Sequence, residues 1–167
     1  MRPSANDWIT KLALTSHIEG GYFKEIYRSH LLISPDQTAT TLKGPRNVST
    51  SIYFLMEQGQ FSAFHRIASD EQWHFYFGDP LVVYELSIEG KLNEYLLGND
   101  TEKNQDFHCI IKAGSWFAAK PASGSEYCLV GCTVSPGFNY EDFELAEPDW
   151  LIKQYPAHRD LISTLTR

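Results

Sequence analysis

The sequence predicts an all-β domain, an antiparallel double sheet compatible with a jelly roll, with one N-terminal helix and short C-terminal helices. Two observations carry this prediction. From Tyr22 to about Val134, short runs rich in β-branched and aromatic residues are punctuated by Gly, Pro, Asn and Asp at intervals of about eight to twelve residues. No stretch of helical period fits between those runs. The chain has 167 residues, 43% of them hydrophobic and 21% charged, which suffices for one sizeable core and is short for two. A single domain over residues 1–167 is expected.

The elements follow in order. Ser4, with Asp7 three residues on and Trp8, Ile9, Leu12 and Ala13 at helical spacing, reads as a capped helix that stops before Gly20-Gly21. Strands are expected at Tyr22–Ser29, Val48–Met56, Phe61–Ile67, Gln72–Phe77, Leu81–Ile88, Leu92–Leu97, Phe107–Ile111, Trp116–Ala119 and Tyr127–Val134. Turns fall at Gln58-Gly59, Gly78-Asp79-Pro80, Glu89-Gly90 and Gly98-Asn99-Asp100. The polar stretch Leu32–Asn47 reads as a long loop, of the kind that often borders a site. Pro148 and Pro156 each sit where a short helix begins, and Leu161, Ile162 and Leu165 lie on one side of the last.

Composition excludes several classes of function. Fourteen Lys and Arg stand against 21 Asp and Glu, a formal charge of -7, so no broad basic face for nucleic acid is expected. No basic-then-apolar leader opens the sequence, and no run approaches the roughly 18 apolar residues of a membrane span. We expect a soluble, cytoplasmic protein with no nucleic-acid or membrane partner. Cys109, Cys128 and Cys132 form no CxxC pair and read as buried reduced thiols.

Ionisable and aromatic residues are densest from Phe64 to Gly78, two strands joined by a tight polar turn. Alternation puts Phe61, Ala63, His65 and Ile67 on one face of the first strand and Ser62, Phe64 and Arg66 on the other. With the first set inward, His65 is an imidazole on an apolar wall. On the second strand Glu71, Trp73, Phe75 and Phe77 share one face, and Gln72, His74 and Tyr76 the other. Glu71 and His74 therefore point inward together only if a bulge intervenes.

The spacing Gly59-x5-His65-x-Ile67-x3-Glu71-x6-Gly78 resembles the first cupin motif, with Ile67 in place of its second histidine. The stretch Lys112-Ala113-Gly114-Ser115-Trp116-Phe117 resembles the second, with Phe117 in place of its histidine. Of the metal ligands that such motifs carry, His65 and Glu71 remain, with His74 nearby but out of pattern. Stable catalytic metal sites generally need about three protein ligands. No cofactor is expected, and a divalent metal, if bound, would use His65, Glu71 and His74.

A closer resemblance spans most of the chain. The runs Glu19 to Ser29, Ser51 to Leu55, Phe64 to Gly78, Ala113 to Phe117 and Gly131 to Phe138 together resemble the uncharacterised cupin 5 (DUF985) family, of the RmlC-like cupin superfamily. The resemblance implies a cupin double-stranded β-helix with an aromatic-lined pocket, a homodimer, and kinship of fold with sugar epimerases; it implies no particular reaction. Glu19 to Glu25 is also similar to the Phe-x-Glu half of a nucleotide-sugar epimerase segment that reaches a pocket rim, which marks Phe23, Glu25 and Arg28 as rim candidates.

These residues support three readings. The first is a metal-independent sugar epimerase or isomerase with His65 as base, Glu71 setting its tautomer, and Tyr53 or Tyr76 as the opposing acid. Arg66 or Arg28 would pair with an anionic group of the substrate, while His74, Trp116 and Phe117 complete the ligand-binding set. The alternatives are a non-enzymatic cupin holding a small, carbohydrate-like ligand, and a metal-dependent cupin enzyme.

Overall fold

The computed structural model describes residues 2–37 and 42–167. Met1, and residues 38–41 within the loop expected over Leu32–Asn47, lie outside the described residues. In order, the elements are α1 (Ala5–Leu12), β1 (Thr15–Ser16), β2 (Tyr22–Arg28), β3 (Leu32–Ile33), β4 (Arg46–Asn47), β5 (Thr50–Glu57), β6 (Ser62–Arg66) and β7 (Asp70–Gly78). There follow β8 (Leu81–Leu86), β9 (Leu92–Leu97), β10 (His108–Ile111), β11 (Trp116–Pro121), β12 (Tyr127–Ser135), β13 (Glu144–Leu145), α2 (Pro148–Gln154) and α3 (Arg159–Thr164).

The strands form a six-stranded sheet, β1-β2-β5-β12-β7-β10, and a five-stranded sheet, β13-β6-β11-β8-β9, with β3 and β4 as a separate pair. Every pairing among the named strands is antiparallel. This is the expected all-β double sheet with its helix in front and helices behind.

Three apolar layers follow from alternation along these strands. Between the sheets Phe54, Met56, Trp73, Val83, Phe117 and Val130 make the main core. On the far side of the five-stranded sheet, Phe64, Leu86 and Trp116 pack against Leu151 of α2 and Ile162 of α3. On the far side of the six-stranded sheet, Leu55, Leu129 and Tyr127 lie under α1, with Trp8 against them. Among the described residues no helix is long and apolar enough to cross a membrane, and all three cysteines are buried and free.

The first helix has the capping box expected from Ser4 and Asp7, a device that contributes about 1 kcal/mol. It ends where its apolar spacing ends, before Gly20-Gly21. Ala13 takes a left-handed conformation and caps the carbonyls of Ile9 and Thr10, and β-branched Thr15 then pairs with Phe23 as a strand residue. The chain from 13 to 20 is thereby free to turn back against the sheet.

Three irregularities of register break strict alternation. In β2 the pairing slips between Glu25 and Tyr27, so Ile26 is extra. In β7 Leu129 faces Phe77 while Val130 faces Phe75, so Tyr76 is extra. In β6 Phe117 faces His65 while Ala119 faces Ser62. Each inserted residue reverses the facing of everything beyond it, and the site depends on those in β2 and β6.

Candidate functional site

A cavity of about 370 Å³ opens at one end of the interior, within the range of small-molecule sites. Its wall is built from the inward faces of β2, β5, β7 and β12, with His65 from β6, the turn carrying His17 and Glu19, and the segment Phe138–Tyr140.

The turn is set by Gly20 and Gly21, both at positive φ. A side chain at Gly20 would collide with the carbonyl of Phe61, and one at Gly21 with that of Leu55. Only glycine lets this turn sit so close to β5 and the chain entering β6. The approach brings the backbone N–H of Ala63 to the Glu19 carbonyl at 3.1 Å and buries the Glu19 side chain.

Glu19 lies between two histidines. Its Oε2 accepts a hydrogen bond from Ser62 Oγ at 2.7 Å and stands 3.4 Å from His65 Nδ1. Its Oε1 stands 3.7 Å from His17 Nδ1. The irregularity in β6 is what turns Ser62 and His65 toward the same carboxylate.

The hydrogen bonds assign opposite tautomers to the two rings. His65 Nδ1 lies 2.7 Å from the carbonyl of Ala63, which can only accept, so Nδ1 carries the proton and Nε2 holds the free lone pair. His17 Nδ1 accepts the backbone N–H of Glu19 at 3.2 Å, so its Nδ1 is bare and its proton sits on Nε2. Burial, with a smaller contribution from His65, outweighs the opposing Glu19 charge and pushes the His17 pKa down, keeping the ring neutral. Among the described residues neither Nε2 makes a hydrogen bond. One cavity thus presents a basic nitrogen and an N–H donor on two rings.

Glu71 and Cys132 line the same wall from β7 and β12. Burial, and then the nearby Glu19 charge, push the Glu71 carboxyl up to about 8, against a hydrogen bond with Cys132 that acts to lower it. The Cys132 thiol is in turn raised by burial and by Glu71. Trp73 stands beside them with 2% of its surface exposed, and its buried indole N–H has no partner among the described residues.

The rim carries Phe23, Glu25 and Arg28, as the Phe-x-Glu segment suggested. Strict alternation would have put Tyr27 with Phe23 and Glu25; the extra residue Ile26 puts Arg28 there instead. Its guanidinium is committed. Nε and NH2 donate to the two oxygens of Glu25 at 3.0 and 2.7 Å, and NH1 donates to Asn47 Oδ1 at 2.8 Å and to the carbonyl of Phe138 at 3.2 Å. The cover of the cavity is an aromatic cluster of Phe138, Tyr140 and Phe143, with Phe143 reaching the His65 ring. Buried Arg46 holds this segment down through Asp142 at 2.6 and 2.9 Å and Glu141 at 3.0 Å.

Of the residues expected at the site, the structure brings His65, Glu71, Phe23, Glu25 and Arg28 to one cavity. Phe117 is buried behind it, its ring 4.0 Å from that of His65. Five others stand elsewhere. Tyr53 and Tyr76 pack edge-to-face on the outer side of the six-stranded sheet, where Tyr76 lies over Gly131. His74 is on that outer side too, its ring stacked on His108. Arg66 and Trp116 face the C-terminal helices, with Arg66 over the Trp116 ring and paired to Glu144. The physical reason is alternation: each of these residues stands next to an inward residue of its own strand.

His17 and Glu19 have no place in a spacing argument built on the cupin motifs. The sequence signals for Glu19 are its position before two glycines and its place at the start of the Glu19–Ser29 run, and His17 has none.

The positions that ligate metal in cupin motifs are here His65, Ile67, Glu71 and Phe117, with Ile67 and Phe117 buried in the core. Two donors, with buried apolar side chains at the other two positions, do not fit the resident metal of that motif. His74 cannot complete the set, since it lies across the sheet.

A model of the Cupin_5 family, described as cupin superfamily (DUF985), matches residues 6–146. The chain belongs to the cupin 5 family. Its fold is shared with protein SO0799 from Shewanella oneidensis, at 36% identity and a TM-score of 0.88 over 99% of this chain and 98% of that one. A hypothetical protein from Leishmania major is similar at 31% identity and a TM-score of 0.87, over 98% and 99% of the two chains. The uncharacterized protein YML079W of Saccharomyces cerevisiae is 29% identical over 150 residues, 82% of this chain and 70% of the yeast one. This cupin 5 protein therefore shares its architecture with the Shewanella and Leishmania proteins, and its chemistry has to be read from its own cavity.

Proposed function

We propose that this protein is a metal-independent isomerase that moves a proton beside the carbonyl of a small molecule. The observation that carries this reading is the pair of opposed tautomers at His65 and His17 in one cavity. His65 Nε2 removes the proton from the carbon next to the carbonyl, and the electron pair moves onto the carbonyl oxygen. His17 Nε2–H donates a hydrogen bond to that oxygen, as a neutral ring can without losing its proton outright. The His65 imidazolium returns the proton to the adjacent carbon, and the hydroxyl proton passes between the two oxygens of the enediol. Protonation states of both rings are restored.

Glu19 supports this cycle. It stands 3.4 Å from His65 Nδ1, where its charge steadies the imidazolium, and Ser62 fixes its orientation. One inward base favours shift of a proton between neighbouring carbons over inversion at one carbon, which needs groups on both faces.

The test is exchange in D2O. Wild-type protein incubated with a panel of hydroxycarbonyl compounds should incorporate deuterium beside the carbonyl, read by NMR. His65→Gln should lose this by about 10²- to 10⁴-fold while still binding the same compound. Binding by the wild type with no exchange on any compound bound would leave a ligand-binding cupin instead.

A further inference from the structure

We infer that the cavity selects an uncharged hydroxycarbonyl compound of monosaccharide size and rejects its phosphate ester, and that Glu25 sets this selectivity. The inference rests on the proposed reading for the carbonyl and takes its charge class from the lining alone.

Phosphate and carboxylate groups are held by Arg or Lys, above all through two parallel N–H donors of one guanidinium. Among the described residues lining the cavity, Arg28 is the one Arg or Lys. Four of its five N–H donors are used, two of them on the carboxylate of Glu25. A phosphate arriving at the rim meets a neutralised pair with Glu19 deeper in the cavity. It finds no fork to receive it.

Nor does the cavity present an open negative charge to a cation. Glu25 is held by Arg28, Glu19 is flanked by Ser62 and His65, and Glu71 retains its proton near neutral pH. The groups left over are neutral and suit hydroxyls. Thr50 Oγ1 accepts the N–H of Phe138, leaving its own O–H to donate. Asn139 uses its carbonyl oxygen on Glu141, leaving its amide N–H groups, and the Trp73 indole N–H lacks a partner. Phe23, Phe54 and Phe138 offer apolar surface for the carbon face of a ring.

Glu25 and Arg28 lie at the surface with about two-fifths of each side chain exposed, so Glu25→Gln should fold normally. It removes the charge and one of the two oxygens that accept from Arg28. The experiment measures binding of glucose, mannose and fructose, each beside its 6-phosphate, by ligand-observed NMR titration to wild type and Glu25→Gln. Wild type is expected to bind at least one free sugar about tenfold or more tighter than its ester. Glu25→Gln, with Arg28 released, is expected to close or reverse that gap by gaining the ester.

Wild-type protein that binds an ester as tightly as its free sugar, or that binds none of the free sugars, overturns the inference, as does a Glu25→Gln gap identical to wild type. The outcome is separable from the proton-transfer reading. Selective binding of a free sugar with no deuterium exchange leaves the charge selectivity standing and removes the isomerase alone.

Discussion

Glu71 and Glu85 are both buried glutamates on inward faces, at 7% and 4% exposure, yet their carboxyls are driven in opposite directions. Burial acts to raise both. At Glu85 it is outweighed by hydrogen bonds from Asn93 at 3.0 Å, the Tyr95 hydroxyl at 2.8 Å, Ser115 and the backbone of Lys112, and the carboxyl stays below its ordinary value. At Glu71 a single thiol is the opposing donor, while Glu19 adds like charge, and the carboxyl rises to about 8. Burial alone does not decide the state of a carboxyl; the donors and charges around it count as well. The closed end of the interior satisfies its glutamate and is structural, whereas the open end leaves its glutamate unsatisfied beside a cavity.

The largest way to break this comparison is to strip Glu85 of its donors. Tyr95→Phe combined with Asn93→Ala leaves a buried carboxylate short of two hydrogen bonds, each worth about 1.5–3 kcal/mol when the acceptor is charged. Urea unfolding should show a loss of about 3 kcal/mol or more, and a loss under 1 kcal/mol would mean that Glu85 does not depend on them.

The second uses pH. Between the ordinary carboxyl value of 4.5 and about 8, folded protein keeps a proton on Glu71 that the unfolded chain has released. The folded state binds more protons over that window, so the Glu71 contribution to stability falls as pH rises through it and is level on either side. Glu85, with its value lowered, contributes the opposite trend: its stabilisation is present above 4.5 and is lost as the solution becomes more acid. Thermal melts should show Glu71→Gln gaining on wild type steadily from pH 5 to 8. A constant difference across that range would place the Glu71 titration elsewhere.

The smallest effect is at Cys132. Cys132→Ala removes the one hydrogen bond that lowers Glu71, at a cost near 1 kcal/mol for the small loss of packing. The upper edge of the pH window should move above 8. Movement toward acid would show that the thiol is not that donor.

Much of this was legible in local pattern. The strand positions follow from β-branched and aromatic runs between turn residues, and the inward facing of His65 and of Glu71 with Trp73 follows from alternation. The rim candidates came instead from the resemblance of Phe23-x-Glu25 to an epimerase segment. What alternation alone could not reach is the sense of each face beyond a bulge: Arg28 is inward because Ile26 is extra, and Phe77 packs under α1 because Tyr76 is extra. Tyr53 and Tyr76 had the right chemistry for an opposing acid, but side chains of the right type are useless on the wrong side of a sheet.

The sequence by itself determined the strand rhythm and the inward facing of His65, because hydrophobic alternation and turn chemistry are written within a few residues, and its resemblance to cupin motifs gave the fold family. Only the tertiary structure decided which groups meet His65. His17 and Glu19 reach His65 through a glycine turn pressed onto strands more than thirty residues away; the His65 tautomer is set by the Ala63 carbonyl of its own strand and that of His17 by the Glu19 N–H within the turn. Such contacts depend on which strands pair and where a ladder slips, and cross-strand pairing is a property of the assembled sheet that no single segment contains.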